Sequence, residues 1–375
     1  MILSETQSAV RDAVRAFAQE QLRPQSAAFE AAKGYPAGLF EELAGLGLMG
    51  VTAPEQWGGA ALDTISYALA LIELAAGDGA LSTIVSIQNS LIVGGLLKLG
   101  TQAQQERFLP DLVAGRMVGA FALTEADAGS DASALRTRAE QVPGGWKLNG
   151  AKQFITNGAI AGLAIVFAVT DPQAGKRGIS AFLVPTDREG YSVDKVEHKL
   201  GQAASDTCAI RFEDLFIEDD LVFGDIGGGY RIALSNLEAG RIGIAAQSVG
   251  MAQAALEIAV QYARDRASFG KPIIEHQAVG FRLADLATRL EAARQMVLHV
   301  AATKDAGLPC LTEASMAKLF ASETAEAVVS GAIQTLGGYG YLEEYGLAKI
   351  YRDVRVCQIY EGTSDIQKMV IARAL

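Results

Sequence analysis

Residues 135–148 read Leu135-Arg136-Thr137-Arg138-Ala139-Glu140-Gln141-Val142-Pro143-Gly144-Gly145-Trp146-Lys147-Leu148. Two short β-type runs flank a Pro-Gly-Gly turn, the pattern of a hairpin. Further runs of the same kind follow at 163–169, 179–184 and 208–212, all between Gly119 and Phe216. No helix-length segment separates them, which favours a small middle sheet or barrel over a βαβ series.

On either side the texture is helical. Towards the N-terminus, Ser4-Glu5-Thr6-Gln7 is a capping-box pattern, and Val10, Val14, Phe17 and Leu22 follow on one stripe. Turn signals at Gly34-Tyr35-Pro36, Gly58-Gly59 and Gly77-Asp78-Gly79 divide the rest of this part up to about Gly115. After Gly227-Gly228-Gly229 the helical period returns. Ile242, Ala245, Val249, Ala252, Leu256 and Ala259 step by threes and fours, as do Val279, Leu283, Leu286, Leu290, Ala293 and Val297. Further helices are expected over 312–336, 342–354 and after Thr363. The fold expected is α+β and mostly α: an N-terminal all-α domain over 1–117, a middle β domain over 118–225, and a C-terminal helical domain of the four-helix-bundle type over 226–375.

Composition narrows the functional classes. The 375 residues are 50% hydrophobic and carry a net charge of −11, with 32 basic against 43 acidic side chains. Nucleic acid is therefore not expected as a partner, because phosphate binding needs a basic footprint. Cys208, Cys310 and Cys357 are dispersed and odd in number, so they read as buried small apolar residues and not as a disulfide framework. Three histidines offer little for a metal centre, and no metal is expected. No basic n-region precedes an apolar h-region, and apolar runs such as 91–97 are short and broken by glycine. A soluble cytoplasmic protein is expected, or one of the mitochondrial matrix if the chain is a mature eukaryotic form.

Several familiar signatures fail. Gly227 and Gly229 do not open a GxGxxG, since Ile232 stands at the third position; Gly145 to Lys152 reads GxxxxGAK, with its lysine displaced by one; and no GxSxG is present. Two polar, Gly-rich segments remain: Phe121-Ala122-Leu123-Thr124-Glu125-Ala126-Asp127-Ala128-Gly129-Ser130-Asp131 and Lys152-Gln153-Phe154-Ile155-Thr156-Asn157-Gly158. The first sets hydroxyls and glycine-exposed N–H groups beside an apolar strand, as a phosphate-bearing aromatic cofactor requires, although a plain strand end explains it too. Near the C-terminus, Glu361 follows Ile359-Tyr360 and precedes Gly362. In an apolar cleft its pKa would rise, as a general base requires; the alternative is an ordinary carboxylate near a helix start.

Taken together with Gly240-Arg241-Ile242-Gly243, Arg266-Ala267-Ser268-Phe269-Gly270-Lys271, Gln334-Thr335-Leu336-Gly337-Gly338-Tyr339-Gly340 and Tyr360-Glu361-Gly362-Thr363, these segments resemble the acyl-CoA dehydrogenase family in order and spacing. The resemblance spans nearly the whole chain and leans towards short-chain and short-branched-chain members. It implies an FAD enzyme acting on CH–CH groups in fatty-acid β-oxidation or branched-chain amino-acid catabolism. The reaction would introduce a trans double bond between the α and β carbons of an acyl-CoA.

The resemblance also implies roles by position. Glu361 would be the catalytic base; in the branch that relocates this base, a Glu precedes the bundle Arg, and Gly240 stands there instead. Phe121, Leu123, Thr124, Gly129, Ser130, Phe154, Ile155 and Thr156 would line the flavin, and Thr363 and Asp365 would close over it. Arg266, Phe269, Gln277, Gln334, Leu336, Gly337 and Gly338 would reach the cofactor of a neighbouring subunit, in a homotetramer. Ser130, Tyr230, Glu238, Arg241, Tyr360 and Gly362 would contact the acyl-CoA.

The implied chemistry removes the α-proton to Glu361 and the β-hydrogen as hydride to the flavin, with the enolate held by a ribityl hydroxyl and the Glu361 N–H. Electrons would pass to an electron-transfer flavoprotein. Two departures stand out: Phe154 replaces a common Trp, and the 199–207 segment lacks an Arg often found after its glycine. Arg241 and Arg266 are the expected sources of local positive charge for the cofactor and CoA phosphates. An acyl-CoA or nitroalkane-type flavin oxidase on the same fold remains an alternative, as does a non-catalytic assembly protein.

Overall fold

In the computed structural model, which describes residues 1–375 apart from the Glu238 side chain, the first helix starts where its capping box predicts. The Ser4 side chain accepts from the Gln7 N–H, and the Gln7 side chain accepts from the Ser4 N–H. Helices α1 Glu5–Phe17, α2 Ser26–Ala32, α3 Leu39–Gly45, α4 Thr64–Gly77, α5 Gly79–Ile87, α6 Gly94–Leu99 and α7 Gln102–Val113 form the first part. A wide turn over Gln88–Val93 joins α5 to α6 without a break. The run at 91–97, short by its sequence, thus belongs to a continuous apolar helix from Gly79 to Leu99. By length and composition this helix and Gly229–Asp265 could cross a membrane, but 89% and 83% of their most apolar stretches are buried inside the protein.

Strands β1 Gly119–Ala122, β2 Arg138–Val142, β3 Gly145–Thr156, β4 Leu163–Val169, β5 Ile179–Pro185, β6 Tyr191–Val196 and β7 Thr207–Glu218 make one sheet in the order β1-β4-β2-β3-β7-β6, with β5 on β4. The Pro-Gly-Gly turn does connect an antiparallel pair, β2 and β3, in register Val142 to Gly145. Register shifts in β3 between Leu148 and Gly150 and between Lys152 and Ile155 bend the sheet, the second beside the Phe154 segment.

Helix α8 Gly229–Asp265 begins at the Gly triplet. A side-chain carbon on Gly229 would meet the Ser180 carbonyl carbon at 2.6 Å, so glycine lets the helix start directly on β5. The hairpin strands β8 Ala267–Ser268 and β9 Lys271–Pro272 lead to α9 Gln277–Asp305 and α10 Leu311–Leu336, then to the short α11 Leu347–Val354 and α12 Ser364–Ala372. Three C-terminal helices are long. The expected 342–354 helix loses its first turns to 3-10 geometry before Gly346, whose φ is +74°.

Two apolar cores result, and neither is confined to one sequence segment. Leu71 and Ile72 of α4 share a core with Val249 of α8, Val297 of α9 and Val328 of α10. Leu91, Leu96, Phe108 and Leu112 instead pack on Phe167, Phe182 and Leu183 of the sheet. Alanine and glycine on α8 make the first core close-packed: a side-chain carbon on Gly250 would come 2.8 Å from Ala75 Cβ and 2.9 Å from the Ile72 carbonyl carbon. The α5–α6 helix therefore bridges the bundle and the sheet, and the site is built where the two meet.

Candidate functional site

The segment entering α12 supplies the central carboxylate. Glu361 and Gly362 are both left-handed, with φ of +54° and +89°. A non-glycine residue in that region is uncommon and persists only where its surroundings hold it. Here the Lys318 ammonium donates to the Gly362 carbonyl at 2.7 Å, and the Gln367 amide donates to the Gly362 and Glu361 carbonyls at 2.9 and 3.2 Å. Thr363 then caps α12, its hydroxyl accepting from the Ile366 N–H at 3.3 Å.

This backbone turns the Glu361 side chain against α8. Its Oε2 atom is buried and has no hydrogen-bond partner among the described residues. Burial pushes the carboxyl up to about 7, against the opposing pull of Lys318 and, more weakly, Arg241. Both cations are buried as well, and burial lowers Lys318 to about 8. Arg241 donates to the Ser315 hydroxyl at 3.1 Å. It lies in the interior, and its charge acts on Glu361. The Tyr67 hydroxyl, pushed up to about 12 chiefly by burial, also feels the Glu361 charge.

Tyr360 turns the other way. Its hydroxyl donates to Gln247 of α8 and lies 3.6 Å from the Cys357 sulfur. Gln247 donates to the Gly79 carbonyl at 2.7 Å, while Gln202 accepts from Thr83 at 2.7 Å and donates to the Asp353 carbonyl at 3.1 Å. Lys349 bridges Asp353 at 2.6 Å and Asp78 at 3.2 Å. The residue before the carboxylate is thereby tied to the first helices, the sheet and the bundle together. All three cysteines are buried, as expected.

The two polar segments are neighbours. The Gln153 N–H donates to the Thr124 carbonyl at 2.8 Å, and Asn157 donates to the Gly119 carbonyl at 2.9 Å. Between them the fully buried Lys152 ammonium meets Glu125 at 2.7 Å and the Leu123 carbonyl at 3.1 Å. Glu125 in turn accepts from the Arg136 and Thr137 N–H groups at 2.6 and 3.0 Å, closing the loop that carries Gly129 and Ser130. Leu123 and Ile155 are buried, Thr124 and Thr156 half-buried, and Gly129 and Ser130 exposed. Phe121 stacks on Phe167 with ring centres 4.9 Å apart. Phe154, left-handed at φ +59° on the bulge, is 62% exposed. An exposed aromatic face beside hydroxyls and open backbone suits an aromatic, phosphate-bearing group such as a flavin nucleotide.

A separate cluster lies at one end of the bundle. Arg266 sits 5.8 Å over the Tyr339 ring, which also packs on Tyr262 and Tyr345. Phe269 at the hairpin tip is 95% exposed, and Gln277, Gln334, Gly337 and Gly338 are exposed too, while Leu336 is buried. Tyr230 is half-buried under the Lys176 ammonium, 5.0 Å from its ring centre, and Asp365 is exposed. The side chain of Glu238 lies outside the described residues. No cluster able to hold a metal ion occurs among the described residues.

A cavity of about 450 Å³ opens between Tyr67, Ser90, Asn236 and Ala239, with Lys98 and Lys304 also on its wall. Tyr67 on its wall is also the tyrosine that feels the Glu361 charge.

Fold and site together define a helix–sheet–helix enzyme with the Glu361 carboxylate, its Oε2 atom buried, set between α8, α10 and α12. The models of the acyl-CoA dehydrogenase N-terminal, middle and C-terminal domains match residues 4–116, 120–215 and 227–375. The chain belongs to the acyl-CoA dehydrogenase family. It is 44% identical over 370 residues to the mitochondrial short-chain specific acyl-CoA dehydrogenase of Homo sapiens, covering 99% of this chain and 90% of that one. The structure of butyryl-CoA dehydrogenase from Megasphaera elsdenii is similar with a TM-score of 0.97 and 40% identity, covering 100% and 99% of the two chains. A chain from work on the electron transferring flavoprotein of Acidaminococcus fermentans and flavin-based electron bifurcation matches with a TM-score of 0.98 and 39% identity, over 100% of this chain and 98% of its own.

Residue reading missed Lys318, Gln367 and the Gln202–Gln247 pair. A signal for the first existed: Lys318 falls on the alanine stripe of Ala314, Ala317, Ala321 and Ala325, a charge on an apolar face.

Proposed function

We propose that the protein oxidises a short straight or branched acyl-CoA to the trans-2-enoyl-CoA, with Glu361 as the base. The enzyme is an FAD-dependent oxidoreductase acting on acyl-CoA. The observation that carries the assignment of the base is the buried Glu361 carboxylate, pushed up to about 7 against Gly240. A carboxylate of ordinary acidity is too weak a base for a thioester α-proton; desolvation raises its proton affinity towards what the step needs.

In this reading the thioester lies with its α-carbon at Glu361. The Cα–H bond breaks, the proton moves to the carboxylate, and the electron pair flows towards the thioester carbonyl, which accepts from the Glu361 N–H. Bound FAD supplies the hydride acceptor for the β-hydrogen. Phe121, Leu123, Thr124, Gly129, Ser130, Phe154, Ile155 and Thr156 would hold it, with Thr363 and Asp365 above. Arg266, Phe269, Gln277, Gln334, Leu336, Gly337 and Gly338 would complete the site of a neighbouring subunit in a homotetramer, which gives the exposed Phe269 a covering partner. Ser130, Tyr230, Glu238 and Gly362 would border the acyl-CoA. Arg241 and Tyr360 would act from behind the base.

Short chains are favoured by the cavity wall. Tyr67, Ser90 and Asn236 are polar and offer a long alkyl tail little apolar surface to bury against. The relatives named for short-chain and butyryl substrates point the same way. An electron-transfer flavoprotein is the acceptor this reading assigns, in keeping with the Acidaminococcus fermentans neighbour. Turnover of butyryl-, isobutyryl- and octanoyl-CoA, with electron-transfer flavoprotein or oxygen as acceptor, tests both points. The reading expects kcat/KM highest for the C4 substrates and negligible peroxide. An octanoyl preference contradicts the chain length, and stoichiometric peroxide makes the protein an oxidase.

A further inference from the structure

The reading of Glu361 as the base leaves one buried cation without a role. Lys318 lies on α10, fully buried among alanines, and among the described residues its ammonium donates one hydrogen bond, to the Gly362 carbonyl at 2.7 Å. A buried ammonium is costly unless its charge is matched. No carboxylate among the described residues forms an ion pair with it, and the carboxylate that raises its proton affinity is Glu361.

We propose that Lys318 is a positioning residue for the base: through the Gly362 carbonyl it holds the left-handed Glu361–Gly362 turn, and its charge sets the proton affinity of the carboxylate.

Two independent features carry this. The first is mechanical. Two successive left-handed residues are unfavourable, and the Gly362 carbonyl takes donors from two elements, Lys318 of α10 and Gln367 of α12. Removing either donor loosens the turn; only Lys318 brings charge. The second is electrostatic. Oε2 of Glu361 has no hydrogen bond among the described residues, so nothing but distant charge opposes its desolvation. Among the described residues the titratable groups coupled to it are Lys318 of α10, Arg241 of α8 and Tyr67 of α4, and Lys318 exerts the stronger of the two cationic influences. Without Lys318 the carboxyl would stay protonated to higher pH and fewer molecules would hold a competent base near neutrality.

The test is the titration of Glu361 itself in the flavin-loaded protein. Infrared difference spectra follow its carboxyl band, recognised as the one lost in Glu361→Gln. In Lys318→Gln, which keeps a donor and loses the charge, the midpoint should rise by about one pH unit or more. Lys318→Met, of similar length, should give the same shift, so the result does not hang on one variant folding. Lys318→Arg should keep the midpoint within about 0.3 unit. Anaerobic flavin reduction by butyryl-CoA at pH 7 should slow about tenfold in both neutral variants, with the substrate dissociation constant within about threefold. An unmoved midpoint in the neutral variants, or an equal shift in Lys318→Arg, overturns the inference. The infrared midpoint needs no substrate, so that failure is distinct from a flavin that no acyl-CoA reduces, which instead overturns the functional reading on which this rests.

Discussion

The carboxyl group of Glu361 packs directly on Gly240: a side-chain carbon at residue 240 would stand 2.8 Å from Glu361 Cδ and 3.1 Å from Oε1. Contacts under 3 Å do not occur between real side-chain carbons and carboxylates, so one residue must move. Glu361 is held by its turn and Gly240 by a long helix, and the absence of a side chain at 240 is what lets the carboxylate sit there. Gly240→Ala should displace the base by a fraction of an ångström or more. Flavin reduction by butyryl-CoA should fall at least about a hundredfold, as misplacement of that size costs. Stopped-flow measurement, with far-UV circular dichroism to confirm the fold, checks this.

The pH dependence follows from the raised carboxyl. The base works deprotonated and burial pushes its carboxyl up to about 7 in the substrate-free protein, so the second-order rate of reduction at sub-saturating butyryl-CoA should climb tenfold per unit below that value and level off above it. A rate flat from pH 5 to 9 would place the proton acceptor elsewhere.

Stability should respond with a definite sign. A carboxyl lifted from 4.5 to about 7 favours folding below the unfolded value, and that advantage is lost as pH rises through 7. Replacing the group removes the cost of a buried charge. Glu361→Gln should therefore be more stable than the parent at pH 8, by about 2–3 kcal/mol, with the gap closing towards pH 4.5. Paired denaturant melts at the two pH values measure it.

The loop bearing Gly129 and Ser130 rests on the Lys152–Glu125 pair, with side chains 0% and 8% exposed. Breaking a buried pair by removing one partner costs about 3–5 kcal/mol. Lys152→Met should lower the melting temperature and release FAD on gel filtration, seen as a falling flavin-to-protein absorbance ratio. Retention of full flavin content would show that the loop is held by other means.

At the hairpin tip, Phe269→Ala should weaken both subunit association and flavin retention, because Phe269 is 95% exposed in the single chain. Light scattering and flavin absorbance read the two effects. An intact oligomer with full flavin would remove Phe269 from the interface.

Legibility followed physical locality. The strand at 163–169 is continuous and apolar, and it stands in the structure with those bounds. The capping box at Ser4 and the Pro-Gly-Gly hairpin are equally local and equally readable. β1 was legible only as a strand end at Phe121, because four residues carry no period, and β6 escaped notice because its alternation at Tyr191 and Val193 breaks at Lys195. The glycines at 94 and 95 look like breakers, yet the helix runs through them, since a side-chain carbon at Gly95 would lie 3.0 Å from the Asn236 amide. Close packing against a distant segment overrode the local signal. The same reasoning explains the site. Glu361 was visible from its neighbours in sequence, whereas Lys318, Gln367 and the inward turn of Tyr360 depend on which helices meet. The overall charge of −11 speaks against nucleic acid and not against cofactor phosphates, and the structure places buried positive charge beside a carboxylate.

The central claim is that Glu361 takes the α-proton of a bound acyl-CoA, and one measurement addresses it most directly. Anaerobic titration of the purified yellow protein with butyryl-CoA, followed by flavin absorbance, should bleach the parent protein. Glu361→Gln should bind the ligand, perturb the flavin spectrum and bleach slower by about four orders of magnitude. Bleaching of Glu361→Gln at a rate close to that of the parent would contradict the account.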